Sequence, residues 1–351
     1  MSLTPSPIPP TFRWPVQFCI FSTVTTYVLS IITGNVSQVD RVWTFLPTIF
    51  TAYFALLPLW PSKPVLPLFP YTPEDVNAQV AREWNPRALL MLGLQVTWML
   101  RLSYNTWRRG LFSFKDEDYR WEVLRQKLPA WFFQVVNLTF IAIIQNVLLF
   151  MLGIPAHNAA ISPPSSHSLG PSDYALTFLT LLTLAVEFTA DNQQFSYQTY
   201  KRTGVLNTND WWGARIKWTP EDAQRGFVTR GLWAWSRHPN FLCEQTVWFL
   251  QALFPILASP NLASLPRGLS GPATPFVSLI PPIALSLLFF SSTLFTEGIS
   301  RSKYPTAYGA YQNRVAMFVP LLTPVYGWVL SLRGKKEWAD QLVYGSGKKQ
   351  E

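Results

Sequence analysis

Residues 174–200 read YALTFLTLLTLAVEFTADNQQFSYQTY, and this stretch decides the class of fold. A helix that crosses a bilayer core needs about 20 mostly apolar residues. The stretch has that length, and its first thirteen residues carry no charge. Six further stretches have a similar character, so the sequence predicts seven spans. They cover residues 16–34, 42–60, 88–107, 131–154, 174–200, 240–258 and 276–296.

The composition points to the same class of protein. Of 351 residues, 49% are hydrophobic and 13% are charged, and 28 Lys and Arg against 19 Asp and Glu give a net charge of +9. So little charge excludes a disordered tail and disfavours an ordinary soluble enzyme. The two Cys lie in different apolar segments without further ligands at zinc spacing, so we predict no metal site. We expect an all-α, polytopic membrane helix bundle.

The basic residues predict how the bundle is oriented. Residues 101–127, 201–237 and 301–349 hold 7, 7 and 8 Lys and Arg. Residues 155–173 hold none, and residues 259–275 hold Arg267 alone. Because basic loops stay in the cytosol, the C-terminus is predicted to be cytosolic and the N-terminus to lie on the other side. The positive charge is therefore a topology signal, and we expect no nucleic-acid partner.

Polar residues interrupt the spans at helical spacing. In the fifth span Glu187, Asp191, Gln194, Gln198 and Lys201 step by 4, 3, 4 and 3 residues, which places them on one helical face. Ionisable groups are costly in lipid, so such a face needs a partner. It either hydrogen-bonds to another helix or lines a ligand site that opens toward the cytosol.

Three further polar rows lie at predicted cytosolic ends of spans. Each has a simpler interpretation as membrane-edge anchoring, by snorkelling basic residues or interfacial tyrosines. Together they predict a cytosol-facing pocket, apolar on the membrane side and basic on the other, for a lipid-like substrate and a phosphorylated cofactor. The rows are Arg101, Tyr104, Asn105 and Arg108; Arg230, Arg237, His238, Asn240 and Glu244; and Glu297, Arg301, Tyr304, Tyr308 and Tyr311.

The motifs in these rows resemble those of a known superfamily. Residues 231–244, GLWAWSRHPNFLCE, are similar to the GLW-x-[YW]-SRHPN-[YF]-x-x-E signature of the steroid 5-alpha-reductase-like superfamily, in its branch of predicted steroid oxidoreductases. Glu187, Ala190, Asp191 and Gln193 resemble the E-x-x-AD-x-Q element of that branch. Residues 101–121 and 296–320 resemble its RL…ED-x-R-[YW] and TE…Y..Y…F-[IV]-P elements, so the likeness covers residues 88–320.

The resemblance implies a membrane-helix fold with a cytosol-facing NADPH site. By motif, the nicotinamide and ribose contacts would come from Asp191, Gln194, Asn240, Phe241 and Glu244. The phosphates would lie near Lys201, Arg230, Arg237 and His238, with Tyr308 and Tyr311 closing the site and Trp233 and Ser236 completing the motif. Phe241 stands where Tyr is commoner, and Cys243 where Gly is usual.

The implied reaction is hydride transfer to a polarised carbon–carbon double bond of a sterol, steroid or other lipid-like molecule. We expect Tyr104 to donate the proton, with Arg101 and Glu244 as further catalytic residues. Residues 1–87 would then be N-terminal transmembrane helices with a connecting loop, and residues 88–320 the catalytic membrane domain. Residues 321–351 would be an interfacial segment and charged cytosolic tail. Resemblance also suggests the endoplasmic reticulum; oligomeric state is left open.

Two other functions remain open at this point. Isoprenylcysteine carboxyl methyltransferases carry a similar RHP-aromatic motif and bind S-adenosylmethionine, but they usually have a Glu pair where this chain has Glu297 followed by Gly298. A lipid- or sterol-binding membrane protein without turnover is the third possibility. Binding of NADPH, of S-adenosylmethionine or of a sterol alone would distinguish the three.

Overall fold

The computed structural model describes residues 8–113, 115–162, 168–258 and 275–345. Within these ranges the regular structure is helical, with no strand. Arg267 and the tail beyond residue 345 lie outside the described residues. The chain forms two compact units: unit 1 is residues 1–180 and 248–285, and unit 2 is residues 181–247 and 286–351.

The helices are α1 (Arg13–Thr33), α2 (Gln38–Val42), α3 (Leu46–Ala55), α4 (Ala78–Arg82), α5 (Pro86–Arg108), α6 (Tyr119–Lys127), α7 (Ala130–Val136), α8 (Gln145–Met151), α9 (Ile154–Ala160), α10 (Pro171–Thr203), α11 (Pro220–Arg225), α12 (Pro239–Leu257), α13 (Ile280–Lys303), α14 (Pro305–Arg314), α15 (Leu322–Leu332) and α16 (Lys336–Tyr344). A π-helical segment, Asn137–Ile144, joins α7 to α8. The predicted loop after residue 155 therefore begins as a helix, α9.

Four helical stretches of the described chain are long and apolar enough to cross a membrane. They are Pro10–Thr33, Ala130–Ala160, Pro171–Thr203 and Val277–Lys303. At 1.5 Å per residue, the shortest of them, with 24 residues, exceeds the ~30 Å of a bilayer core. They correspond to four of the predicted spans, and they are typical of a helical membrane protein.

The other three predicted spans take a different form. The second is not one helix: α3 has only 10 residues and has Pro47 in its first turn, while Pro58 lies in the 3-10 turn that follows. Helices α5 and α12 have 23 and 19 residues, but buried Arg101 and Glu244 reduce their apolar character. Helix α15, with 11 residues, is short, as expected for an interfacial piece.

Hydrogen bonds within unit 1 show how its segments run relative to α1. Trp14, in the first turn of α1, donates to the carbonyl oxygen of Leu68 at 3.0 Å. Asn35, just beyond the other end of α1, donates to the carbonyl oxygen of Asp116 at 3.0 Å. The chain therefore returns to the start of α1 through α2 and α3, and α5 carries it back to the end of α1.

The stretch from α7 to α9 runs antiparallel to α1. Asn137 Nδ2 donates to Ser30 Oγ at 2.9 Å near the end of α1. Thr11 Oγ1 lies 2.9 Å from His157 Nε2 at its beginning. Polar side chains thus align the stretch from α7 to α9 against α1, as expected for helices that associate in lipid.

Aromatic and small side chains fill the core of unit 1. Trp14 stacks on Tyr53 with ring centroids 4.7 Å apart. Trp98 of α5 meets Trp248 of α12 edge to face at 5.0 Å. The part of α12 that belongs to unit 1 begins at Trp248. The aromatic pair therefore packs the start of this part against α5.

The described part of unit 2 contains two small cores. One surrounds Tyr197 of α10 and contains Trp218 and Trp233. The other consists of buried residues of α14 and α16, with Tyr311 and Val343 among them. Polar residues of α10, α12 and α13 lie beside these cores, and they form the candidate site.

Candidate functional site

Glu297 of α13 forms the centre of a buried polar network in unit 2. The guanidinium of Arg237 donates to it twice, from Nε to Oε1 at 2.7 Å and from Nη2 to Oε2 at 3.0 Å. His238 Nε2 lies 2.9 Å from Oε1, and Gln312 Nε2 donates to Oε2 at 2.9 Å. Glu297 is 2% exposed and Arg237 is 6% exposed. One carboxylate thus neutralises a buried cation and orients the side chains around it.

The remaining donor group of Arg237 is also used within the protein. Its Nη1 donates to the carbonyl oxygens of Gln312, at 3.0 Å, and of Val315. Every guanidinium nitrogen of Arg237 therefore has a protein acceptor. An Arg fork suits phosphate when two parallel donors are available, but in this structure Glu297 takes both. Arg237, expected beside a cofactor phosphate, instead holds the network together.

The segment that leads into α12 is held by the chain before α15. The backbone N–H groups of Arg237 and His238 donate to the carbonyl oxygens of Ala316 and Met317, at 2.9 and 3.1 Å. The hydroxyl of Ser236 also donates to Met317, at 3.1 Å. Ser236 is fully buried. It therefore contributes to this backbone junction, and the N–H groups there are already occupied.

His238 is buried between the Glu297 carboxylate and aromatic rings. Burial lowers the pKa of His238 below its ordinary value, and the bond to Glu297 partly opposes that shift. The imidazole is therefore neutral at pH 7, with Nε2–H donating to the carboxylate. Its ring stacks on Phe241 at 5.6 Å, and Phe241 meets Phe289 edge to face at 4.8 Å. Phe241 thus lines an apolar side of the site.

Asp191 and Asn240 meet in unit 2, as the motifs predict. Asn240 Nδ2 donates to Asp191 Oδ1 at 3.3 Å. Asp191 is 4% exposed, and Glu244, one turn further along α12, is 5% exposed. Gln194 lies one turn beyond Asp191 on α10. These four residues form the polar group to which we refer as the α10–α12 cluster.

Two acceptors of the α10–α12 cluster have no protein donor. Asn240 Oδ1 and Gln194 Oε1 are buried and lack a hydrogen-bond partner among the described residues. A buried polar group without a partner costs about 1–3 kcal/mol. The two oxygens therefore suit a ligand that presents hydroxyl or amide N–H groups.

The predicted polar row on α10 does not share one environment. Glu187 and Asp191 are buried, whereas Gln194 and Lys201 are partly exposed and Gln198 is exposed. Residues after Trp211 pack on neighbouring positions of α10; Trp218, for example, donates to Ser196. The predicted face is therefore buried at Glu187 and Asp191 and reaches the surface at Gln198, and its role in lining a ligand site stays a prediction.

Gln193 has a structural role that the spacing argument missed. Its Nε2 donates to the carbonyl oxygen of Gly213 at 2.8 Å, and its Oε1 accepts from the backbone N–H of Leu232 at 2.9 Å. Gly231 has φ +66°, and a Cβ atom there would lie 2.6 Å from that same Oε1. The GLW glycine thus allows the backbone to approach Gln193. The only sequence signal for Gln193 was its place in the E-x-x-AD-x-Q element.

Three aromatic residues expected at the cofactor site belong to the cores. Trp233 Nε1 donates to the carbonyl oxygen of Ala190 at 3.2 Å, and the Tyr311 hydroxyl donates to the carbonyl oxygen of Trp233 at 2.6 Å. Burial raises the pKa of Tyr311 well above its ordinary value, so its hydroxyl stays protonated. Tyr308 is buried against Phe227, with ring centroids 4.9 Å apart. Tyr308 and Tyr311 thus belong to a core of unit 2, and their closing of the cofactor site stays a prediction.

Lys201 and Arg230 are the more accessible of the predicted phosphate ligands. Lys201 Nζ donates to the carbonyl oxygen of Gly226 at 2.8 Å. Arg230 Nε donates to Asp222 at 3.1 Å, and its side chain is 23% exposed, against 6% for that of Arg237. An anion in solution can therefore reach Arg230 more readily than Arg237.

Arg101 and Tyr104 lie on α5 in unit 1. Arg101 is buried, whereas Tyr104 is 46% exposed. The guanidinium of Arg108 lies over the Tyr104 ring, 5.2 Å from its centroid, and Arg108 Nε donates to Asn105 Oδ1 at 3.0 Å. Arg108 therefore contacts both Tyr104 and Asn105 of the predicted row. The role of Tyr104 as a proton donor stays a prediction.

The described residues contain no metal-binding group. No three His, Cys, Asp or Glu side chains among them lie close enough to hold an ion. Both cysteines, Cys19 and Cys243, are buried.

Comparison with known proteins places the chain in a family. Residues 26–315 match the family described as "Protein of unknown function (DUF1295)". The chain is also 32% identical over 294 residues to an uncharacterised protein of Schizosaccharomyces pombe, and the match covers 84% of this chain and 75% of that protein. No solved structure matches.

Proposed function

The chain belongs to the DUF1295 family, and we propose that it is a membrane-embedded, NADPH-dependent reductase of a carbon–carbon double bond. The substrate class is a sterol, a steroid or another lipid-like molecule. Three features support the proposal: the resemblance to the steroid 5-alpha-reductase-like superfamily, the apolar helices and the α10–α12 cluster. The endoplasmic reticulum membrane, with a cytosolic C-terminus, is the location that we propose.

The observation that carries the proposal is the pair of buried acceptors in the α10–α12 cluster. Asn240 Oδ1 and Gln194 Oε1 lack donors among the described residues, and a nicotinamide ribose offers hydroxyl and carboxamide N–H groups. Asp191 and Glu244 add buried carboxylates to the same group. The donor-rich end of a dinucleotide is thus chemically matched to these residues.

Basic residues of unit 2 would hold the phosphates. Lys201 and Arg230 are better placed for this than Arg237, whose donors are taken by Glu297 and by backbone carbonyls. In the proposal Arg237 and His238 are positioning residues that fix the start of α12 and therefore Asn240. A substitution of Arg230 should therefore lower the affinity for NADPH. A substitution of Arg237 should instead lower the stability of the folded protein.

When bound, NADPH supplies a hydride for the β-carbon of a polarised double bond. The protein must add a proton at the α-carbon and stabilise the charge that develops on a conjugated oxygen. We assign the hydrogen-bond and proton donation to the Tyr104 hydroxyl, with Arg101 on the same helical face supplying positive charge. The buried Glu244 carboxylate would orient the bound cofactor.

Ligand-dependent thermal stability of detergent-purified protein tests the proposal. A ligand that binds only the folded protein stabilises it by RT ln(1 + [L]/Kd), about 2.7 kcal/mol at a hundredfold excess over Kd. We expect NADPH to raise the melting temperature of the wild type. Gln194→Ala should reduce that shift, because it removes one buried acceptor.

Gln198→Ala is the matched control, since Gln198 is exposed one turn further along the same helix. Its shift with NADPH should equal that of the wild type. Stabilisation by S-adenosylmethionine instead of NADPH would favour a methyltransferase, and stabilisation by a sterol without either cofactor would favour a lipid-binding protein. A NADPH shift equally reduced in both variants would remove the α10–α12 cluster from the proposal.

A further inference from the structure

A proline-rich loop with an apolar tip follows α3 in unit 1. Residues 61–72 read PSKPVLPLFPYT, and we call them the 61–72 loop. Val65 and Leu66 at its tip are 68% and 63% exposed, and Phe69 is 42% exposed. Large exposed apolar side chains in a group mark an interaction surface more often than isolated ones do.

The base of the 61–72 loop is closed by hydrogen bonds. The backbone N–H of Thr72 donates to the carbonyl oxygen of Pro61 at 2.9 Å, and its hydroxyl donates to Leu57 at 2.7 Å. The Tyr53 hydroxyl donates to the carbonyl oxygen of Tyr71 at 3.0 Å. A loop whose ends lie close together in this way is a compact surface loop rather than an extended connection. Its tip is therefore held in one position relative to its base.

One residue of the tip has an unusual backbone conformation. Leu68 has φ +63°, and among the described residues it is the one non-glycine residue with positive φ. This conformation costs an L-residue roughly 1–2 kcal/mol. The indole N–H of Trp14 donates to the Leu68 carbonyl oxygen at 3.0 Å and helps to hold it. Such strain persists where the surrounding structure fixes it, often for a functional reason.

The bond from Trp14 also places the loop relative to the lipid. Trp14 lies in the first turn of α1, within the candidate span Pro10–Thr33. Beyond it, α1 exposes the apolar side chains Ile20 and Phe21, as a lipid-facing helix does. The loop is thus attached at the end of a span, the level at which Trp and Tyr prefer the membrane interface.

A cavity separates the loop from α1. It has a volume of about 390 Å³ and is lined by Gln17 of α1 and by side chains of the loop such as Val65, Phe69 and Tyr71. Its wall presents polar as well as apolar atoms. Val65, Leu66 and Phe69 belong both to this wall and to the exposed tip.

We propose that the 61–72 loop is a membrane anchor, which inserts Val65, Leu66 and Phe69 into the boundary between lipid headgroups and acyl chains. Lys63, whose side chain is 78% exposed beside Glu74, would lie at the headgroup level. An apolar face that enters this boundary reaches about 5–10 Å below the headgroups. The bilayer is the partner because the tip continues the lipid-facing surface of α1.

Spin labels on the reconstituted full chain test this proposal. A nitroxide is attached at Leu66→Cys and, as the matched control on the same loop, at Lys63→Cys, in nanodiscs of phosphatidylcholine. Cys19 and Cys243 are buried, so their own labelling is measured on the parent chain and subtracted. We expect collisions with oxygen, which partitions into lipid, to exceed those with a water-soluble nickel chelate several-fold at position 66, and the reverse at position 63.

Two outcomes would overturn the anchor. Frequent collisions with the nickel chelate at position 66 would place the tip in water. Few collisions with either reagent would mean that protein, a second copy included, covers it. If Leu66→Cys fails to reconstitute, Val65→Cys provides the same measurement, since both residues lie at the exposed tip.

Discussion

At the scale of single residues, Glu297 neutralises the buried charge of Arg237 in unit 2. It accepts from Arg237 and Gln312 and lies 2.9 Å from His238 Nε2. Glu297→Ala should lower the free energy of unfolding by about 3–5 kcal/mol, because it leaves the Arg237 cation buried without its partner. Denaturation of purified protein by SDS or by heat measures this loss.

The same substitution at an exposed carboxylate is the control. Glu337→Ala on α16 should change the stability little, since its side chain is solvated. Replacing both members of the buried pair, in Arg237→Met with Glu297→Leu, should recover part of the loss, because no uncompensated charge remains. A double variant as unstable as the sum of its single variants would contradict this account of the network.

The lowered pKa of His238 makes the free energy of unfolding depend on pH. Burial lowers its pKa in the folded state below its ordinary value, so the unfolded chain binds a proton more readily than the folded chain does. The free energy of unfolding should therefore fall as the pH falls below the unfolded pKa of about 6.5. Melting temperatures of the wild type between pH 5.5 and pH 8 (a range of about 2.5 units around that pKa) should show the decline.

His238→Gln separates this effect from other titrations. The Gln side chain can still donate to Glu297 but does not gain a proton in this range, so its stability should decline less steeply with falling pH. Above neutral pH the two proteins should respond alike. Identical slopes throughout would mean that His238 is not the group responsible.

Of two contacts in the candidate site, the sequence predicts one and not the other. The meeting of Asp191 with Asn240 follows from two motifs. The pairing of Arg237 with Glu297 does not, because 60 positions separate them and no spacing rule links residues on different helices. The motif resemblance places Arg237 near the phosphates, whereas its bonds to Glu297 are the reason that we propose a positioning role for it.

At the scale of elements, a ladder of small polar side chains joins α1 to α8. Asn146 accepts from the Ser22 hydroxyl at 2.7 Å and donates to Thr26 Oγ1 at 3.1 Å. Asn146→Leu should lower the stability by about 1 kcal/mol, since hydrogen bonds between membrane helices contribute about 0.6–2 kcal/mol. Unfolding in detergent or bicelles measures the difference.

Thr139→Val is the control for the ladder. Its exposed hydroxyl donates to the carbonyl oxygen of Val135, one turn earlier in the same continuous stretch, so its loss should leave the stability nearly unchanged. Equal effects of the two substitutions would mean that the ladder does not hold α1 and α8 together.

The elements also show where hydropathy is a sufficient guide. The span predicted over residues 174–200 is α10, Pro171–Thr203, because a long charge-free run determines a long helix. The span predicted over residues 42–60 is divided instead into short helices. Mean hydropathy is insensitive to Pro47 and Pro58, although a proline lacks the backbone N–H that a continuous helix needs.

At the scale of the whole molecule, the number of membrane passes determines on which side the two ends lie. An odd number places the N-terminus and the C-terminus on opposite sides, and an even number places them on the same side. The return of the chain to the start of α1, where Trp14 contacts Leu68, supports a pass through α2 and α3 although α3 alone is short. We therefore expect seven passes, with the C-terminus in the cytosol.

Two terminal reporters on the full chain test this topology. A glycosylation site added before residue 8 should be glycosylated in microsomes, and a fluorescent protein added after residue 351 should remain accessible to protease from the cytosolic side. A reporter pair on one side of the membrane would mean that α2 and α3 form a re-entrant segment, and the basic-residue count would then have to be reinterpreted.

The separation between Arg237 and Glu297 has a consequence for biosynthesis. A ribosome delivers the arginine 60 residues before the carboxylate that neutralises it. Until α13 has emerged, a nascent chain must keep that cation hydrated or shielded by an insertion factor, so unit 2 can assume its final form only late in translation. A chain released before residue 297 would contain an uncompensated charge, which marks it as a substrate for cellular quality control.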